Sequence, residues 1–150
     1  MLMKNILLFI CLLCFSLSAT AQKKDKCSKE EFRAKKTAYL KEKANLTDEE
    51  AMKFFPLYFQ LEDLKKDING KAWAKARKGM NPETTEKEYE DIANFYVNAE
   101  IQAAELDKEY LEKFKTVLSA KKIYMVIRAE IKFNRNMLKI IHPDKNKKNK

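Results

Sequence analysis

The chain has 150 residues with only two glycines and three prolines, 45% hydrophobic and 35% charged side chains, and a formal charge of +9. So few turn-forming residues exclude a sheet-rich fold and favour long helices. A single histidine, His142, set beside Pro143 at the edge of a lysine-rich tail, excludes a His-centred triad or metal cluster.

In chain order, residues 1–21 read as a secretory signal: Lys4 gives a basic start, Ile6 to Leu17 is apolar, and Ala19-Thr20-Ala21 is an A-x-A cleavage site. That run of roughly a dozen apolar residues is short of the ~20 needed to span a bilayer, and no later segment is apolar enough. The expected product is soluble and periplasmic. Lipidation is not expected, because Cys14 follows Leu13 and Cys27 follows Lys26 rather than a small residue. With Cys11 and Cys14 lost in the signal, Cys27 has no partner in its own chain and reads as an incidental thiol or an inter-chain link. It sits in a flexible basic leader, residues 22–28, ahead of a single domain at 29–141.

Ser28-Lys29-Glu30-Glu31 is a capping-box pattern and predicts a first helix over 29–44, with Phe32, Tyr39 and Leu40 on a thin apolar face. Thr47-Asp48-Glu49-Glu50 repeats the box. Ala51, Phe54, Phe55, Tyr58, Leu61, Leu64, Ile68 and Ala72 then recur at spacings of three and four, which predicts a second helix over 48–78 that bends at Pro56 without ending there. Gly79 and Asn81-Pro82 mark the following turn. A third box, Thr85 to Glu88, opens a helix over 86–118, about 50 Å long at ~1.5 Å per residue, which suggests an elongated molecule. Ser119 caps a fourth helix over 119–141, and residues 142–150 are expected to be a disordered basic tail. The fold class is all-α, with four helices.

Charge is segregated along these elements. Residues 22–82 carry 16 basic and 10 acidic side chains, residues 83–112 carry 2 and 10, and residues 113–150 carry 12 and 2. On the fourth helix, Lys121, Arg128, Lys132, Arg135 and Lys139 project as one stripe. Apolar residues, among them Tyr124, Ile127, Ile131 and Leu138, spread over roughly 200° of its circumference, against about 100° for an ordinary surface helix. Either two helices of the same chain flank it, or a second subunit or a client polypeptide completes the burial. Glu130 and Asn134, one turn apart inside the apolar arc, read as a satisfied buried pair.

Catalysis has little material. Adjacent carboxylates such as Glu49 and Glu50 point to different sides of a helix and suit capping, so the chain is read as a non-enzyme with no metal and no cofactor. Export and the absence of a nucleic-acid-binding motif argue against nucleic acid as a partner. Contact of the lysine tail with an anionic membrane surface is allowed but weak. Asn45-Leu46-Thr47 is a formal glycosylation acceptor, though Thr47 is already explained as a cap.

Two resemblances follow from short motifs. Leu138 to Asn146, with His142-Pro143-Asp144, resembles the HPD loop of J-domain cochaperones. A J-domain would continue into a further amphipathic helix, and only Lys and Asn follow Asn146 here. Leu46-Thr47-Asp48-Glu49-Glu50 resembles the LTxxQ motif of the Spy/CpxP-like family of periplasmic proteins, in its Bacteroidetes-type members. Leu118-Ser119-Ala120-Lys121-Lys122 sits where a second copy would, with Glu50 and Lys122 in place of the glutamines and Ser119 in place of threonine. That resemblance implies antiparallel helical hairpins assembled into a curved homodimer that holds unfolded envelope proteins without ATP. The expected client or dimer surface is Tyr124, Ile127, Arg128, Ile131, Lys132, Arg135 and Leu138. Leu46, Thr47, Glu50, Leu118 and Ser119 are the helix-start motifs. The rival reading is an envelope-stress regulator that binds the sensor domain of a single membrane partner.

Overall fold

The computed structural model describes residues 28–141. The expected signal, Cys27 with its leader, and the tail with His142-Pro143 lie outside the described residues. Among the described residues there are four α-helices and no strand: α1 (Lys29–Ala44), α2 (Asp48–Ala76), α3 (Glu86–Lys115) and α4 (Ala120–Ile141), with a 3-10 turn at Arg77–Met80 after α2. Residues 33–141 belong to one compact unit, and 28–32, the first turn of α1, to a separate unit whose remainder lies outside the described residues. No helix among the described residues is long and apolar enough to cross a membrane.

The helix starts form for the reasons their patterns suggest. Ser28 Oγ accepts from the Glu31 amide at 3.1 Å. Thr47 and Thr85 each accept from the amide three residues on, while Glu50 and Glu88 reach back to the amides of Thr47 and Thr85 at 2.8 Å, so both capping boxes are complete. α1 ends in a Schellman closure. Asn45 takes a left-handed φ of 54°, its amide meets Glu42 O at 3.3 Å, and the Leu46 amide reaches Lys41 O at 3.0 Å. This closure folds Leu46 back into the core beside Leu40 and Ala44.

Two helices stop earlier than their patterns predict. α2 ends at Ala76 instead of 78, because its last turn tightens around Gly79 and Asn81 must be extended ahead of Pro82; Asn81 has φ −71° and ψ 128°. α3 ends at Lys115 instead of 118. There the Thr116 hydroxyl donates to Lys113 O at 2.7 Å and the Leu118 amide closes on Phe114 O at 2.8 Å, which frees Leu118 to enter the core and Ser119 to cap α4. α4 accordingly starts at Ala120. α2 runs without interruption through Pro56.

The main core lies where all four helices meet: Leu40 and Ala44 of α1, Phe54, Phe55 and Tyr58 of α2, and Ile123, Val126 and Ala129 of α4, with Leu46 and Leu118 from the two turns and Phe114 of α3 packed against them. Phe54 is the hub of its aromatic cluster, 4.9 Å from the Phe114 ring and 5.3 Å from that of Phe55. Next to this core Leu61 of α2 and Tyr110 of α3 are buried as well; farther along the α2–α3 pair the buried residues, among those described, are only Ala72, Ala99 and Ala103. Such small side chains let two backbones approach closely but bury little apolar area.

The pairings fix helix directions. Lys36 on Glu62 and Lys41 on Asp48 make α1 antiparallel to α2, and Lys65 on Asp107 with Phe54 on Phe114 does the same for α3. Glu50 meets Lys122 and Tyr58 meets Glu130, so α4 lies parallel to α2 and in register with it at a constant separation of 72 residues.

Candidate functional site

α4 presents three kinds of surface around its axis. Ile123, Val126, Ala129 and Phe133 face inward and are buried. Next comes a strip roughly 60° wide that holds Ile127, Leu138, Ile131 and Tyr124, at 49%, 60%, 54% and 56% exposed. Beyond that run Arg135, Arg128, Lys121, Lys139 and Lys132, all exposed, none of which meets a carboxylate among the described residues. Arg128 lies with its guanidinium 5.8 Å from the centre of the Tyr124 ring, joining the basic stripe to the apolar one.

The wide apolar arc is therefore split. α1 and α2 cover one half of it, through contacts such as Tyr39 against Phe133 at 5.5 Å between ring centres. The other half stays open because α3 is drawn onto α2 more closely than onto α4. A strip of four large apolar side chains, each about half exposed, is larger than the isolated apolar residues found on any protein surface.

The helix-start residues are brought together. Leu46 and Leu118 enter the same core. Ser119 Oγ accepts from the Lys122 amide at 3.4 Å, and Lys122 Nζ lies 2.7 and 2.5 Å from the two carboxylate oxygens of Glu50. The same Glu50 carboxylate also accepts from the Thr47 amide. The Lys122 ammonium first, then the Thr47 amide, hold the Glu50 carboxyl below the usual carboxylate range.

The expected Glu130–Asn134 pair is corrected. Glu130 is satisfied, but not with Asn134, which is exposed. Its carboxylate accepts from Tyr58 Oη at 2.6 Å and from Lys36 Nζ at 3.0 Å, and Lys36 also donates to Glu62. Lys36 is 2% exposed and its ammonium stands 5.0 Å from the Tyr58 ring centre. Burial and then the Glu130 charge hold the Tyr58 phenol above its usual range, so it remains a proton donor to that carboxylate. Lys36 is the residue that sequence reasoning missed. The available signal was its position four residues before Leu40 and four after Phe32, on the face of α1 that the apolar pattern marks as buried.

A second exposed apolar group lies on the α2–α3 pair: Trp73 at 61%, with Tyr96 edge-on at 6.3 Å, and Phe95, Val97 and Ile101 nearby along α3. It follows from the alanine-only contact there, which leaves the large side chains facing outward.

Compared with protein-family models, curated proteins and solved structures, the chain matches none of them.

Proposed function

We propose that this chain is an exported, periplasmic, ATP-independent holdase that binds unfolded or partly folded envelope proteins on the outer face of α4. It acts by binding alone, without catalysis, metal or cofactor. The observation that carries this reading is the strip of Tyr124, Ile127, Ile131 and Leu138 lying open beside five cations without carboxylate partners among the described residues. Unfolded chains expose apolar segments that such a strip can shelter, and the cations attract acidic segments over a distance of about 10 Å at moderate salt.

The LTxxQ-like helix starts support the same reading through the resemblance they carry to Spy/CpxP-like proteins. Glu50 and Lys122, standing where that motif has glutamine, make a charge pair that can link the two helix starts in their place. A curved homodimer, with α4 contributing to the joint, belongs to this proposal.

The test is light scattering from an unrelated protein as it unfolds, with wild type beside an Ile127→Ser/Ile131→Ser variant whose helix content is checked by circular dichroism. Wild type should suppress scattering and the folded variant should not. No suppression by wild type at several-fold excess over several substrates would remove the chaperone reading and leave the regulator of a single membrane partner, which crosslinking should then capture as one dominant species.

A further inference from the structure

The side of α3 that faces away from α2 is apolar as well. Val97 and Ile101 are 56% and 51% exposed and stand roughly 160° around the helix from the buried Ala99. With Asn94 and Ala104, also exposed, they form a seam whose steps are three, four and three residues. On α4, Tyr124, Ile127, Ile131 and Asn134 repeat those steps, and Leu138 continues them. Alternating steps of three and four are the spacing by which two helices interlock side chain into gap. Both seams are exposed in the single chain, so they do not meet within it.

The two seams carry opposite charge. From Glu86 to Glu109, α3 has eight carboxylates and only two cations, Lys87 and Lys108. α2 brings Lys65 to Asp107, and Lys75 and Lys78 to the turn that holds Glu88 and Asp91, which still leaves a negative surplus. Glu90, Glu100 and Glu105, which lie along the seam, meet no cation among the described residues. α4 has six cations and one carboxylate, Glu130, which points inward to Tyr58 and Lys36. Lys122 is held by Glu50, and the other five cations run beside the open seam.

We propose that the α4 seam is covered by the α3 seam of a second copy, in antiparallel orientation, and the α3 seam by that copy's α4. This register sets Tyr124 on Ala104, Ile127 on Ile101, Ile131 on Val97 and Asn134 on Asn94. A large ring then fills the space over a small side chain. The two asparagine amides bond to each other, the device by which one polar layer fixes the register of paired helices. Parallel orientation would bury Asn94 under Tyr124 and Asn134 against Ala104, leaving each amide without the other. The antiparallel register also brings Lys121 beside Glu105, and Arg135 beside Glu90 and Asp91. Because the same joint forms twice about one two-fold axis, the assembly closes as a dimer. The inference rests on the homodimer within the function proposed above and adds what covers α4; a second copy and a client then compete for that helix.

Analytical ultracentrifugation of the purified protein tests it. Wild type should sediment as a dimer at about 100 µM. Glu90→Lys/Glu100→Lys/Glu105→Lys and Lys121→Glu/Arg128→Glu/Arg135→Glu should each self-associate at least about tenfold more weakly, because each sets like charges across both joints. All six sites are exposed, and circular dichroism should show both variants still helical. Mixed in equal amounts the two variants should dimerise again, since opposite charges then face each other at both joints. A wild-type monomer at that concentration, a dimer indifferent to both reversals, or a mixture that stays monomeric would each overturn the proposal. Light scattering separates it from the chaperone reading: a wild-type monomer that still suppresses scattering removes this joint and leaves the holdase intact.

Discussion

Lys122 is bound to both carboxylate oxygens of Glu50, at 2.7 and 2.5 Å, so the third residue of α4 holds the third residue of α2. Both side chains are about a quarter exposed, a setting in which an ion pair gains more than it does on an open surface. Glu50 also completes the capping box of α2, so one carboxylate serves a helix end and a helix-to-helix contact together.

Acid should weaken this junction. A carboxyl held low in the folded chain contributes stability that is present above its unfolded value, near 4.5, and that disappears as pH falls through the lower folded value. Urea unfolding of wild type and Glu50→Gln from pH 7 to pH 3 should therefore show a constant gap down to about pH 5 that narrows in more acid solution. Lys122→Glu, which opposes like charges, should lower the midpoint further than Lys122→Gln at pH 7. Leu118→Ala, which empties a core position 4% exposed, should cost about 2–5 kcal/mol and exceed both.

Lys36 should be the most sensitive charged residue in the bundle. Its side chain is 3% exposed while those of Glu62 and Glu130 are 35% and 31%, so removing it leaves two carboxylates that water can still partly reach. Lys36→Met should cost about 2–4 kcal/mol, less than a fully buried pair would. Adding Glu130→Gln should recover part of that loss, a coupling that a double-mutant cycle in urea reads directly. A cycle with no coupling would mean that Lys36 acts through packing of its stem alone.

Legibility in the sequence followed from how local each interaction is. The caps at Ser28, Thr47 and Thr85 involve residues three apart and could be read directly, as could the all-α class and the four helices. The early ends of α2 and α3 depend on how Gly79-Met80-Asn81-Pro82 and Thr116-Val117-Leu118 close on tertiary neighbours, which periodicity does not register. On α4 the width of the apolar arc signalled more than one covering surface, yet only the packing of α1 and α2 decides which half is covered. Glu130 stood out as a polar residue among apolar ones. Its partners lie 94 residues away on α1 and 72 residues away on α2, beyond any spacing rule, so the nearer Asn134 was the wrong candidate.

Gly70 offers a stabilising change. It lies inside α2, is exposed, and a Cβ there would meet nothing within 4 Å. Gly70→Ala should raise stability by about 0.5–1 kcal/mol, through helix propensity and a less flexible unfolded chain. Gly79→Ala is the control, because its Cβ would come to 3.1 Å from Ile92 Cδ1 and 3.4 Å from the Tyr89 ring. It should gain less than Gly70→Ala in the same urea titration, or lose stability.

The apolar strip and the basic stripe of α4 should separate kinetically. Apolar contacts hold a bound client and act mainly on its release, whereas exposed cations act on the rate of encounter and are screened by salt, with a reach of about 10 Å at 0.1 M falling to about 3 Å at 1 M. Arg128→Glu/Lys132→Glu/Arg135→Glu should therefore slow capture of an acidic unfolded substrate at low salt and converge on wild type as salt rises. Ile127→Ser/Ile131→Ser should speed release at every salt concentration. Stopped-flow binding of a fluorescent unfolded substrate distinguishes the two. The lost apolar contacts are about half exposed in the free chain, so the second variant should unfold at nearly the wild-type urea midpoint, and any defect it shows belongs to binding and not to folding.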